Sequence, residues 1–255
     1  MSGAGTTAIE VREFSHYYGS AQTLKQVTLD VLRNEILGII GPAGSGKSTF
    51  LCALNRLNDL VRGSRVEGSI RIDGRDIYGP EVNVVELRRK LGMVFATPVP
   101  LPRSIFENVA FGARLAGRTA KEEMSELVRD SLEKVSLWEE VKDRLDASAL
   151  HLSGGQQQRL CVARILALKP DFILLDEPTS GLDPVSTMKI EESLRLLKKD
   201  YTVILVTNNV KQSARIADRT GFFLGGELIE IGPTDRFFTA PADRRTDDYL
   251  RGRFG

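Results

Sequence analysis

The 255-residue chain is short of several things, and each shortage excludes a class of protein. No apolar run approaches the roughly 20 residues needed to cross a bilayer, and the start, MSGAGTTAIEVREF, has no basic stretch followed by an apolar core. The expectation is a protein neither secreted nor membrane-spanning. Its two cysteines, Cys52 and Cys161, sit in separate apolar helical patterns far apart in sequence, which reads as small buried hydrophobes rather than a disulfide or metal pair. There is also almost no net charge. Lys+Arg number 35 against 34 Asp+Glu, so no bulk field attracts nucleic acid or an acidic membrane, and any partner has to be recognised by a local patch. With 42% hydrophobic and 27% charged residues, the chain can bury a full core.

What the chain does contain is organised around GPAGSGKST, Gly41 to Thr49, which satisfies G-x-x-x-x-G-K-[ST] at every specified position. The apolar stretch 36–40 precedes it and the apolar stretch 50–54 follows, giving strand, loop and helix. Gly41, Gly44 and Gly46, with Pro42, Ala43 and Ser45 between them, let successive N–H groups turn inward on phosphate oxygens, and the new helix adds its positive dipole end. Lys47 is placed to hold the terminal phosphates and Ser48 to ligate Mg²⁺. A plain Gly/Ser turn has no need of Lys-Ser-Thr at the start of an apolar helix.

Taken in order, Ile9–Arg12 and Leu24–Val31 read as two strands of a small antiparallel sheet about a turn at Tyr18-Gly19-Ser20. The alternation slips at Glu13-Phe14, where the first strand either ends or bulges. Of the two turn tyrosines, Tyr18 is favoured over Tyr17 for stacking on an adenine, against the commoner reading of a tyrosine packed on its own hairpin. A short strand follows at 68–74, a basic helix at 84–90 and a buried strand at 92–95. The prolines Pro98, Pro100 and Pro102 then enforce an extended connector, and helical periodicity runs from Ser104 to Val141. In His151 to Arg159, Ser153 is a natural N-cap, and Gly154 and Gly155 permit an anion to approach the helix terminus. The strand 172–175 ends in Asp176-Glu177, which supplies a Mg²⁺-site carboxylate in Asp176 and a general base for water in Glu177. Beyond it come a turn at 180–183, a helix to Lys199, a buried strand at 201–207, a hairpin about Gly225-Gly226 and a polar tail. Buried strands alternating with helices predict an α/β fold with a mainly parallel sheet.

The ordered set GPAGSGKST, LSGGQQQRL, FILLDEP and SGLD resembles the ATP-binding subunit of ABC transporters across essentially the whole chain. The strings STFLCALNRLNDL, VVELRRKLGMVF, RSIFENVAFG and RRTDDYLRGRFG look like its phosphate-import branch. The resemblance implies a P-loop NTPase core with an N-terminal antiparallel β subdomain and a helical and signature subdomain at about 97–165, all one ATP-binding domain over 1–255. It implies ATP and Mg²⁺ as cofactors and nucleotide contacts from Tyr18, the loop Gly41 to Thr49, Ser153, Gly154, Gly155, Asp183 and Asn208. Lys47 and Glu177 would be catalytic, and Ser48 and Asp176 would hold the metal. Because Ser153, Gly154 and Gly155 close on an ATP held by another chain, and Asp183 faces that chain, it implies a homodimer about two Mg-ATP. It further implies two membrane-spanning permease subunits, met by 98–103, an extracytoplasmic phosphate-binding protein, a peripheral place on the cytoplasmic membrane face and no nucleic-acid partner. Two positions depart from the family pattern: Ala96 stands where a glutamine is expected and Asn208 where a histidine is expected. Both departures fall on the hydrolytic chemistry, so a slow motor and a nucleotide-gated module with little turnover both stay open, as does an importer of another anion.

Overall fold

In β1 (Thr7–Tyr18) and β2 (Ala21–Leu32), period-2 alternation turns Ile9 and Val11, and Val27, Leu29 and Val31, inward, and the two strands pair antiparallel about Gly19-Ser20. A computed structural model describes residues 5–253. The first residues of the N-terminal stretch and Phe254-Gly255 of the tail string lie outside the described residues. At the slip in alternation β1 bulges and continues: Glu13 takes φ 47, and the register shifts against both neighbours. The bulge turns Phe14 into the core, fully buried. Opposite it, Gly68 of β4 (Ser64–Ile72) has φ 80, and a Cβ there would stand 2.4 Å from the Glu13 carbonyl oxygen, so the bent strand requires glycine across from it. With β5 (Arg75–Asp76) the first sheet has the order β2-β1-β4-β5, antiparallel throughout.

The second sheet holds β3 (Ile36–Ile40), β6 (Leu91–Val94), β7 (Phe172–Asp176), β8 (Thr202–Val206), β9 (Arg219–Leu224) and β10 (Glu227–Pro233). Its order is β10-β9-β3-β8-β7-β6, parallel except for the β9–β10 hairpin. β3 and β8 are buried along their whole length, as their unbroken apolar runs require when both faces of a sheet are covered. Successive residues go to opposite faces. Leu37, Ile39, Leu174, Ile204 and Val206 pack toward the antiparallel sheet and Phe50, while Ile173, Leu175, Val203 and Leu205 pack toward the helices.

The helices are α1 (Lys47–Leu54), α2 (Val84–Lys90), α3 (Ile105–Leu115), α4 (Lys121–Lys134), α5 (Trp138–Val141), α6 (Gly154–Leu166), α7 (Pro184–Leu197), α8 (Val210–Ile216), α9 (Thr234–Thr239) and α10 (Arg244–Leu250). Between β6 and β7 the described secondary structure is helical: α3, α4 and α6 pack on one another through Val109, Val128, Leu132 and Leu160. Residues 96–102, with their three prolines, form neither helix nor strand, and Val99 stands exposed. α7 ends at Leu197, two residues short of the expected Lys199. The segment read as a polar tail folds into α9 and α10, because Phe237, Tyr249 and Leu250 find an apolar surface at the end of β3 and β9 that no local pattern announces. Cys52 is half-buried, Cys161 is buried, and both are free thiols. No helix among the described residues is long and apolar enough to cross a membrane.

Candidate functional site

β3 delivers the chain into Gly41, whose φ is 152 and where a Cβ would lie 2.1 Å from the Phe223 carbonyl oxygen of β9. Only glycine allows the loop to leave the sheet so close to its neighbour. The loop then wraps around Lys47, which is 5% exposed and donates from Nζ to the carbonyls of Gly41 and Pro42, 2.8 Å to each. Burial pushes the Lys47 ammonium below its ordinary pKa, while the charges of Glu177 and Asp176 pull it back up. A cation held inside a loop by two neutral carbonyls is poised to exchange them for a phosphate, which offers it full negative charge.

β7 runs parallel beside β8 and ends at Asp176, paired with Val206. Ser48 Oγ donates to Asp176 Oδ1 at 3.0 Å. Burial raises the Asp176 pKa, against the Ser48 hydrogen bond and the Lys47 charge, which lower it. Glu177 follows with φ 48, its N–H donating to the Val206 carbonyl at 2.8 Å. Asn208, just past β8, donates from Nδ2 to the Glu177 carboxylate.

These groups share one cavity of about 580 Å³, lined by residues 43–49, Glu177 and Asn208. Gly41 and Pro42 are tied to it through their bonds to Lys47, and Asp176 through Ser48. Sequence reasoning missed part of the wall. Gln22, Thr23 and Lys25 of β2 and the Gly225-Gly226 turn also line the cavity. The Gly226 N–H donates to the Ser45 carbonyl at 3.0 Å, and the Gly226 carbonyl accepts from Lys25 N–H at 2.8 Å, so the hairpin bridges β2 to the phosphate loop. A Gly-Gly pair between two apolar runs signals a hairpin, and nothing local to it signals that neighbour.

Five of the expected nucleotide contacts, Tyr18, Ser153, Gly154, Gly155 and Asp183, do not line this cavity. Tyr18 is not among the cavity's lining residues: it ends β1, its hydroxyl donates to Asn58 Oδ1 at 2.7 Å, and its ring meets His16 edge-on at 4.4 Å. Asn58 in turn donates to the Thr49 carbonyl at 2.9 Å, and the Thr49 side chain also hydrogen-bonds the Tyr18 phenol, so Tyr18 abuts the loop's last residue without lining the cavity. Ser153 caps α6 in a closed capping box: Gln156 N–H donates to Ser153 Oγ at 3.3 Å, and Ser153 N–H to Gln156 Oε1 at 3.0 Å. Ser153 and Gly154 are exposed, Gly155 is buried, and none of the three lines the cavity. Asp183 is the N-cap of α7, accepting from the N–H groups of Val185 and Ser186 and from Ser186 Oγ, so its oxygens are engaged within its own helix. Ala96 leaves β6 half-exposed and outside the lining. Behind the α6 terminus, Glu140 accepts from Gln156, Arg159 and Lys189 at 2.9, 3.0 and 2.7 Å. Burial pushes the Glu140 carboxyl up, and those three donors outweigh it, holding its pKa at about 2.

The donor set suits Mg²⁺ brought in with a nucleotide. One hydroxyl and one carboxylate, Ser48 and Asp176, are hard oxygen donors within reach of a shared ion, and Mg²⁺ is commonly held by one or two carboxylates together with substrate phosphates. No group of three or more His, Cys, Asp or Glu residues that could hold a metal by itself occurs among the described residues.

A parallel sheet flanked by helices, with a glycine-rich loop between its third strand and first helix and paired acids at the end of a strand nearby, defines a P-loop nucleotide-binding protein. A family model described as "ABC transporter" matches residues 24–180, well over half of the chain, and the chain belongs to that family as an ATP-binding domain. Among solved structures, cbiO1 from Clostridium perfringens, described as part of the ABC transporter complex cbiONQ, superposes with a TM-score of 0.82 at 26% identity over 97% of each chain. A bacterial Atm1-family ABC exporter with ATP bound superposes with a TM-score of 0.80 at 23% identity, over 100% of this chain and 43% of the exporter's, a likeness of fold.

Proposed function

We propose that the chain is the ATP-binding, energy-coupling subunit of an ABC importer for inorganic phosphate, working as a homodimer about two Mg-ATP. The observation that carries the nucleotide reading is the convergence of Lys47, Ser48, Glu177 and Asn208 on one cavity over the phosphate loop. The loop N–H groups bind phosphate oxygens, and Lys47 exchanges its two carbonyl partners for the terminal phosphates. Ser48 and Asp176 would hold Mg²⁺, which would supply charge neutralisation on those phosphates. Glu177 takes the proton of the attacking water, and Asn208 orients the Glu177 carboxylate. Ser153 and Gly154, exposed and outside the lining of their own chain's cavity, would offer the α6 N-terminus to an ATP held by the partner.

A separate subunit that works with permeases is supported by cbiO1, a chain matched nearly end to end and described as part of a transporter complex. The exposed connector about Val99 would then meet the two permease subunits at the cytoplasmic face of the membrane. Phosphate as cargo, with its extracytoplasmic binding protein, rests on the resemblance of the four strings alone, and an importer of another anion satisfies the same site. A nucleotide-gated module with little turnover is favoured by one observation, the absence of any side-chain amide at Ala96. Lys47→Ala is expected to weaken Mg-ATP binding at least ~10-fold in calorimetry, since a charge-assisted contact to phosphate is lost. Unchanged affinity would remove the nucleotide reading.

A further inference from the structure

The C-terminal string RRTDDYLRGRFG has no part in the site as built so far, yet the fold brings it there. α10 is anchored at its start by Glu230 of β10, which accepts from the N–H groups of Ala242 and Asp243 at 2.8 and 3.0 Å. From that anchor, Tyr249 and Leu250 pack onto a small buried cluster of Ile40, Phe222 and Phe237, which Val210 also joins. Ile40 is the last residue before the phosphate loop and pairs with Phe222 across β3 and β9. Val210 opens α8 two residues after Asn208. One cluster therefore touches both the base of the phosphate loop and the segment carrying the asparagine bound to Glu177.

Tyr249 is the side chain that reaches beyond this cluster. Its ring stacks on Phe222, with centroids 4.7 Å apart and planes at 21°. Its phenol is hydrogen-bonded by the backbone of Gly41, the first residue of the loop, and feels the charge of Glu177. Burial pushes the phenol above its ordinary pKa, the Gly41 contact draws it down, and Glu177 raises it again. Packing accounts for the ring, since phenylalanine would stack on Phe222 equally well. It does not account for a hydroxyl bonded to the loop's first residue.

We propose that Tyr249 is a positioning residue of the nucleotide site: braced on Phe222, it ties α10 to Gly41 and, through the cluster it shares with Ile40 and Val210, holds the phosphate loop in register with the segment whose Asn208 binds Glu177. The inference rests on the ATP-binding reading above.

The test compares the full-length protein with Tyr249→Phe, which keeps the ring, and Tyr249→Ala, which removes it. Thermal melting, calorimetric Mg-ATP affinity and single-turnover hydrolysis of labelled ATP, expressed per ATP-bound molecule, are measured on each. Tyr249→Phe is expected to melt like the parent, to bind ATP within about two-fold of it and to hydrolyse about ten-fold more slowly, the loss of one hydrogen bond in a charged site. Tyr249→Ala is expected to lose stability as well. A parent rate in Tyr249→Phe overturns the inference, whatever Tyr249→Ala does, and so does a loss confined to affinity or a parent that binds ATP without hydrolysing it. A parent that binds no ATP sinks the underlying reading of the site instead, which keeps the two failures distinct.

Discussion

Glu177 leaves β7 in the left-handed region, φ 48, with its N–H on Val206 and its carboxylate on the Asn208 amide. A non-glycine residue in that conformation costs free energy, and here the surrounding bonds hold it there with its side chain over the phosphate loop. Asn208 can hold the carboxylate but cannot carry charge toward a phosphate, and Ala96 offers only a methyl group. Residues that act as a unit give non-additive effects, so the pair has to be changed together. Ala96→Gln with Asn208→His is expected to raise single-turnover hydrolysis by about ten-fold, with ATP affinity little changed, because Lys47, Ser48 and the loop amides supply most of the binding. If the parent already hydrolyses as fast as the double variant, the two departures are neutral.

At the scale of the element, α6 shows how a short motif is held in place. Ser153 and Gln156 close the capping box, and Glu140 of α5 gathers Gln156, Arg159 and Lys189, so α5, α6 and α7 meet at one carboxylate. Gly155 is buried against Ser186 at the start of α7, next to the Asp183 cap. The two helix starts, 154 and 184, are thus fastened side by side. Ser153→Ala removes one cap and is expected to cost about 1 kcal/mol, read as a fall in melting temperature of about 2–4 °C. No fall would mean that Glu140 and Gln156 hold the terminus without the hydroxyl.

At the scale of the molecule, the phosphate loop lies between β3 and α1, while the α6 terminus lies among the helices between β6 and β7 and does not line the cavity over the loop. On the function proposed above, each chain presents two halves of a site and a second copy brings them together. Mg-ATP is expected to shift the 28.2 kDa chain to twice that mass on size exclusion. The shift should vanish in Lys47→Ala. A parent that stays monomeric at saturating Mg-ATP would overturn the dimer, while leaving the single-chain nucleotide site intact.

The sequence by itself determined whatever is local or periodic. The phosphate loop between strand and helix, the acids ending β7, the Ser153 cap and the parallel sheet all follow from glycine spacing, capping chemistry and unbroken apolar runs. Even the bulge at Glu13-Phe14 showed in the slipped alternation. Only the tertiary structure decided what depends on neighbours distant in the chain. Gly226 bonds to Ser45 and Lys25, Glu140 to Lys189, Asn208 to Glu177, and Tyr249 reaches Gly41 across more than 200 residues. The tail became α9 and α10 for the same reason: short amphipathic helices owe their stability to the surface they cover, and that surface exists only once β3 and β9 are paired.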